Sequence, residues 1–216
     1  MQLIGMLDSP YVRRVAISLQ LLGLPFEHRS VSVFRQFDEF SRINPVVKAP
    51  TLVADDGGVL MDSTLILDYA EALAAERASA RSLMPKKASE RQRVLQLVGL
   101  ALAACEKSVQ IIYEHTLRPA EKQHAPWLTR VHGQLGSALD ALETALARAP
   151  LACTSGDIDQ AGVSCAVAWH FIRESQTLHA VADAAVYPSL HAHSLRAEAL
   201  PEFRRAPHGD ATVAAP

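Results

Sequence analysis

The stretch from Asn44 to Ser63, N-P-V-V-K-A-P-T-L-V-A-D-D-G-G-V-L-M-D-S, constrains this chain more than any other. Pro45 and Pro50 push the residues before them out of the α region, so the five residues that begin at Pro45 cannot be helical throughout. Thr51-Leu52-Val53 then reads as a short buried strand. Asp55-Asp56-Gly57-Gly58 supplies residues that tolerate positive φ, which predicts a tight hairpin turn. Val59-Leu60-Met61 is the return strand. Asp62-Ser63 precedes an apolar-periodic run, as a helix N-cap does. The unit is therefore loop, proline, strand, turn, strand, capped helix.

The rest of the chain is arranged around it. Residues 2–6 read as a strand, and Ser9-Pro10 as an N-cap followed by proline at the first helical position. Val12, Val15, Ala16, Leu19 and Leu22 continue at helical spacing until Gly23 and Pro25 stop the helix. This spacing leaves one of Arg13 and Arg14 facing solvent and gives neither a role. Phe26 to Val33 is a second strand, and Phe37 to Ile43 a short irregular helix. A helix from Ser63 to about Arg77 carries Leu65, Ile66, Tyr69 and Leu73 on one face. The first β-α-β needs a right-handed crossover and hence parallel strands, whereas the hairpin at 55–58 makes the last pair antiparallel. Residues 1–77 thus read as a thioredoxin-like α/β domain. A charged, aperiodic linker spans 78–87. The segment 88–207 reads as an all-α domain, with long helices over 89–113 and through Leu128, Val131, Leu135, Leu139, Leu142 and Leu146. Asp159 caps a third helix, another runs from about Pro188 to Leu200, and 208–216 reads as a frayed tail.

This order resembles the glutathione S-transferases over nearly the whole chain: a thioredoxin-like N-terminal domain followed by an all-α helical-bundle domain. The resemblance implies that Pro50 follows a cis peptide bond and that the backbone of Ala49 pairs with the cysteinyl part of glutathione. It implies that Asp62 and Ser63 receive the γ-glutamyl end, which a helix N-terminus favours through its N–H groups and dipole. Lys48 could pair with a glutathione carboxylate or could be a solvated loop lysine. Where many relatives carry a small or polar residue, this chain has Val47. The family's buried capping box falls on Asp159-Gln160-Ala161-Gly162, where Gly162 cannot return the second hydrogen bond.

Ser9 is the catalytic candidate. It stands at the strand-to-helix corner where thioredoxins carry C-P-x-C, and the resemblance implies a hydroxyl there that donates to the glutathione sulfur. A plain helix cap is the competing role, and the two are compatible. Tyr11 is the rival, and with Tyr113, Glu114 and Arg118 it completes the expected electrophile pocket. No cysteine occupies the corner, so disulfide exchange through an enzyme thiol is not expected.

Composition limits the remaining classes. The chain has 216 residues, 49% of them apolar, and a net charge of −2, which argues against a nucleic-acid surface. Three cysteines, Cys105, Cys153 and Cys165, form no paired framework and read as reduced thiols of a cytoplasmic protein. No signal peptide or membrane span is expected. Nine histidines show no metal-ligand spacing, and no nucleotide fingerprint is present. The implied activity is conjugation of the glutathione thiolate to a small electrophile in a cytoplasmic homodimer, a detoxification role. Glutathione is the co-substrate and no metal is needed. The alternatives are a glutathione-dependent isomerase or dehalogenase, or a non-catalytic binding protein of the same fold.

Overall fold

The computed structural model describes residues 1–77 and 81–214. The chain divides into two compact units, Met1–Pro85 with Ala199–Pro216, and Lys86–Glu198. The first unit contains β1 (Gln2–Ile4), α1 (Pro10–Leu21), β2 (Glu27–Arg29), α2 (Phe37–Ile43), β3 (Thr51–Val53), β4 (Val59–Met61) and α3 (Ser63–Ala75). The sheet order is β2-β1-β3-β4. β1 pairs parallel with β2, and β3 pairs antiparallel with both β1 and β4. This is the thioredoxin-like topology expected from the crossover and hairpin. Leu3 and Leu52 lie opposite each other and are fully buried, as are Ile17 and Leu19 of α1 and Ile66 of α3.

The ends of α1 follow its sequence. Pro10 fills the first position, where a missing N–H costs nothing. Gly23 adopts φ 66°, and the amides of Gly23 and Leu24 bond to the carbonyls of Gln20 and Leu19, a Schellman closure. One expectation about this helix fails: Arg13 and Arg14 are both buried. The α1 stripe is wider than its aliphatic residues suggest, because both guanidiniums have partners within the unit. The inward face of α3 also differs from expectation. Ile66, Leu67, Ala70 and Ala74 are buried, whereas Leu65 is exposed.

Residues 78–80 of the expected linker lie outside the described residues. The part that follows is pinned: Ser82 Oγ and the Leu83 amide both donate to Glu71, and Leu83 is buried.

The second unit contains α4 (Ala88–Thr116), a 3-10 turn (Ala120–Lys122), α5 (Ala125–Arg148), α6 (Gln160–Glu174) and α7 (Pro188–Glu198). α4 is long and apolar enough to cross a membrane, and it packs along α5 and α6. The α5 stripe is buried from Val131 to Leu146. Asp159 Oδ1 accepts the Gly162 amide at 2.8 Å. A Cβ at Gly162 would lie 2.6 Å from Ile158, so packing of the residue just before the cap removes the side chain that could have completed the box.

After α7 the chain returns to the first unit, where α8 (Pro201–Arg205) packs on α1. Of the expected frayed tail 208–216, residues 215–216 lie outside the described residues, and 208–214 are held in place. Ser30 Oγ donates to Asp210 O, Arg35 pairs with the Asp210 carboxylate, and the Val213 amide donates to His28 Nδ1. The sequence lacks an apolar pattern there because the segment is held by polar groups.

Arg13 anchors this return. Its Nε donates to Ala206 O at 2.8 Å, and its guanidinium lies 5.8 Å from the centre of the Phe203 ring. Arg13→Met should remove a charge-assisted hydrogen bond worth roughly 1.5–3 kcal/mol. Urea unfolding is expected to show that loss, and an unchanged midpoint would show that α8 is held by its apolar contacts alone.

Val47 is the strained position of the first unit. Its φ is 51°, a region where a β-branched side chain is disfavoured by about 1–2 kcal/mol. The partly buried side chain packs on the cluster of Ile4, Val31 and Phe40, which offsets some of that strain. Val47→Gly relieves the strain and loses the packing. The expected result is an unfolding midpoint no lower than that of the parent, and a clear fall would mean that packing dominates.

Candidate functional site

The corner after β1 is shaped by Gly5, whose φ is 134°. A Cβ there would lie 2.7 Å from Val12 and 3.1 Å from the Cβ of Ala49, so β1, α1 and the loop before β3 can meet only without one. Ser9 follows as the N-cap of α1. Its Oγ accepts from the Val12 amide at 3.4 Å, a long bond that uses the oxygen and leaves the hydroxyl hydrogen to donate. Tyr11, two residues on, is half-buried.

The second segment of the site is the loop into β3. The Ala49–Pro50 bond is cis. The loop is wired by Asn44, itself buried. Asn44 Nδ2 donates to Thr51 Oγ1 at 2.9 Å, its Oδ1 accepts from the Val46 amide, and Thr51 Oγ1 donates to Lys48 O at 2.7 Å. These bonds fix the backbone on both sides of Ala49. Lys48 is exposed.

The third segment is the start of α3. Asp62 is its N-cap at φ 71° and ψ 124°, and Oδ1 accepts from the Thr64 amide at 2.8 Å. Ser63 is only 3% exposed, and its Oγ accepts from Arg14 Nη1 at 3.1 Å, with Thr64 Oγ1 at 3.4 Å from the same nitrogen. A buried cation therefore stands behind a helix N-terminus whose dipole already favours an anion. Gly5 against Ala49 and Arg14 against Ser63 bring the three segments together.

Charge also gathers beside Ser9. Asp8 keeps an exposed surface, yet the protein around its carboxyl removes enough water to raise its pKa. His208 and Arg35 act to lower it, and Asp210 to raise it. His208 and Asp210 belong to the returning C-terminal segment.

In the helical unit, Tyr113 is 42% exposed near the end of α4. Glu114 is buried and its two oxygens are engaged: one accepts from the His124 amide at 3.0 Å and the other from Arg118 Nε at 2.8 Å. The His124 amide, followed by Arg118, holds its carboxyl below the usual range. This pair ties the end of α4 to the start of α5, and both Tyr113 and Arg118 keep exposed surface.

Arg14 and Asn44 were not singled out by sequence reasoning. The signal for Arg14 was its place between Val12 and Val15, inside an apolar run. For Asn44 it was a short polar residue just before a proline.

The sequence profile of the glutathione S-transferase N-terminal domain matches residues 3–78. The GST-like protein YibF of Escherichia coli is 28% identical over 169 residues, covering 78% of this chain and 81% of that one. A glutathione transferase family member of Pseudomonas fluorescens, solved with bound glutathione, superposes with a TM-score of 0.76 at 27% identity, over 94% of this chain and 96% of that one. A bacterial maleylpyruvate isomerase of the zeta class superposes with a TM-score of 0.70 at 25% identity, over 95% of this chain and 96% of that one. Residues 3–78 thus match the N-terminal domain of the glutathione S-transferases, and the whole chain is similar to members of that family.

Proposed function

We propose that this protein binds glutathione in its first unit and uses the glutathione thiolate as a nucleophile towards a small electrophile. The observation that carries the reading is the convergence of Ser9, Ala49–Pro50 and Ser63 within one unit. The Ala49 backbone pairs with the cysteinyl segment. The α3 N-terminus, with Asp62 and Ser63, takes the γ-glutamyl end, its carboxylate on the N–H groups and its ammonium towards Asp62. Arg14 donates to the Ser63 oxygen and so orients the hydroxyl, leaving its hydrogen for the ligand carboxylate. Lys48, exposed beside Ala49, is free to reach the glycyl carboxylate. Ser9 donates to the sulfur and stabilises the anion over the thiol. The sulfur lone pair then forms a C–S bond to the electrophile, and the displaced electrons leave with a leaving group or move into a conjugated system. Within the first unit Tyr11 is the residue proposed to meet the electrophile; within the helical unit the proposed residues are Tyr113, Glu114 and Arg118.

A second reaction uses the same thiolate. Addition to a double bond, rotation and expulsion of the thiolate give isomerisation with no net consumption of glutathione. The likeness to the zeta-class isomerase favours keeping it beside conjugation. A non-catalytic role is disfavoured by a hydroxyl at Ser9 and an arginine-backed Ser63. The setting is a cytoplasmic homodimer. β4 is an edge strand, and Val59, Met61 and the adjoining Leu65 expose apolar surface that a second copy would cover.

The reading is tested with the full chain and glutathione alone. Calorimetry is expected to show binding, and ultraviolet titration a thiolate that forms below the pKa of free glutathione. Ser9→Ala should move that titration about one unit to alkaline pH, or ~1.4 kcal/mol, with a smaller change in affinity. No binding at millimolar glutathione would sink the proposal, and an unmoved titration would leave Ser9 as a cap. Sedimentation at micromolar concentration is expected to give twice the 23.4 kDa chain mass; a monomer would exclude the dimer.

A further inference from the structure

His28 lies on β2, the edge strand of the sheet opposite β4. Its ring bridges two backbone groups 208 positions apart in sequence, those of Gly5 and Val213. Nε2 is 2.8 Å from Gly5 O, and Nδ1 accepts from the Val213 amide at 3.1 Å. Elementary valence fixes the tautomer. A carbonyl can only accept, so Nε2 carries the proton. An amide N–H can only donate, so Nδ1 is bare. A second proton must go to Nδ1, on the line already held by the Val213 N–H. The protonated ring and the Val213 bond therefore exclude each other.

We propose that residues 206–214 form a strap along the edge strand beside the Ser9 corner, and that His28 is its proton-operated clasp. The rest of the strap is fastened by groups insensitive to that proton. Ala206 O is held by Arg13, Asp210 by Ser30 and Arg35, and the Ala214 amide by Arg205 O. Gly209, at φ 123°, makes the turn that lets Asp210 face Ser30 and Arg35. The strap carries His208 and Asp210, whose charges act on Asp8 next to Ser9. Release would thus change the wall and the charge of the corner together.

The charged groups around the ring are otherwise occupied. Glu27 on the same strand accepts from Gln2 of β1, Arg29 pairs with Glu39 of α2, Arg35 with Asp210, and Arg205 with Gln20 of α1. His208 of the strap interacts electrostatically with Asp8 beside Ser9. Burial lowers the His28 pKa from its ordinary 6.5, and the Gly5 carbonyl partly restores it. The closed strap therefore prefers the neutral ring. Its full stability is present above pH 6.5 and is lost as pH falls from there towards the lower closed-state pKa.

The experiment needs no glutathione, so its outcome is independent of the function proposed above. Backbone amide exchange on the full chain, expressed as protection factors from pH 8 to 5, reads the strap directly. Protection at Val213 and Ala214 should be flat above pH 6.5 and fall by up to tenfold per pH unit below it, while β1 amides stay protected. Ring nitrogen shifts should show the Nε2–H tautomer, titrating below 6.5. Val213→Pro removes the donor without touching the ring. It should make the protection at Ala214 independent of pH and raise the His28 midpoint. Protection at Val213 that is the same at pH 8 and pH 5, or a His28 midpoint unmoved by Val213→Pro, would overturn the clasp.

Discussion

The first unit depends on a side chain that is missing. At Gly5 the end of β1, the first turn of α1 and the loop carrying Ala49 come within van der Waals contact, and a single methyl would lie 2.7 Å from Val12. A strand that ends any other way would hold Ser9 and Ala49 apart, and the corner could not form one wall of a site. The positive φ that Gly5 adopts also turns its carbonyl to His28, so the residue that admits the loop also anchors the sheet edge. Close approach of this kind is felt at the scale of a methyl because protein interiors are packed to crystal density.

Around that contact, α1 acts as the hub. Arg13 and Arg14 are neighbours in sequence, so their side chains leave the helix about 100° apart. One reaches α8 and the Ala206 carbonyl; the other reaches the start of α3 and Ser63. A pair of lysines could not replace them easily, since each guanidinium offers several directed N–H groups from one plane. The same short helix that places Ser9 therefore also fixes the anion-favouring end of α3 and the returning C-terminal segment.

Much of this was legible in the sequence, and the exceptions share a cause. Pro10 and Gly23 at the ends of α1, Pro50, and the Asp-Gly turn before Val59 are backbone signals, and backbone signals are local. They located the elements around the site to within a residue or two. Leu65 was placed on the wrong face of α3 because hydrophobicity alone cannot tell a buried face from an exposed apolar one. Arg13 and Arg14 were missed because their partners lie far away: a carbonyl at position 206 and a hydroxyl at 63. The C-terminal segment was read as free for the same reason, since Asp210 and Val213 are held by polar groups more than 170 positions earlier. Periodicity reports burial on one element and is silent about a hydrogen bond made to another.

The strain in the unit falls where a ligand would be gripped. Val47 and Asp62 are the non-glycine residues with positive φ among the described residues, and they flank the cis-proline hairpin on either side. Such conformations cost of order 1–3 kcal/mol each and persist only when their surroundings over-determine them. Those surroundings are visible: the Asn44–Thr51–Lys48 bonds and the hydrophobic cluster hold Val47, and the Thr64 amide holds Asp62. Because folding meets that cost in advance, a tripeptide laid along Ala49 would find its backbone partners already aimed, with less ordering left to oppose binding. The same reasoning explains why the loop is wired by a buried amide and a hydroxyl instead of by packing alone. Apolar contacts would hold the loop in place, but only directional bonds fix which way the Ala49 backbone faces.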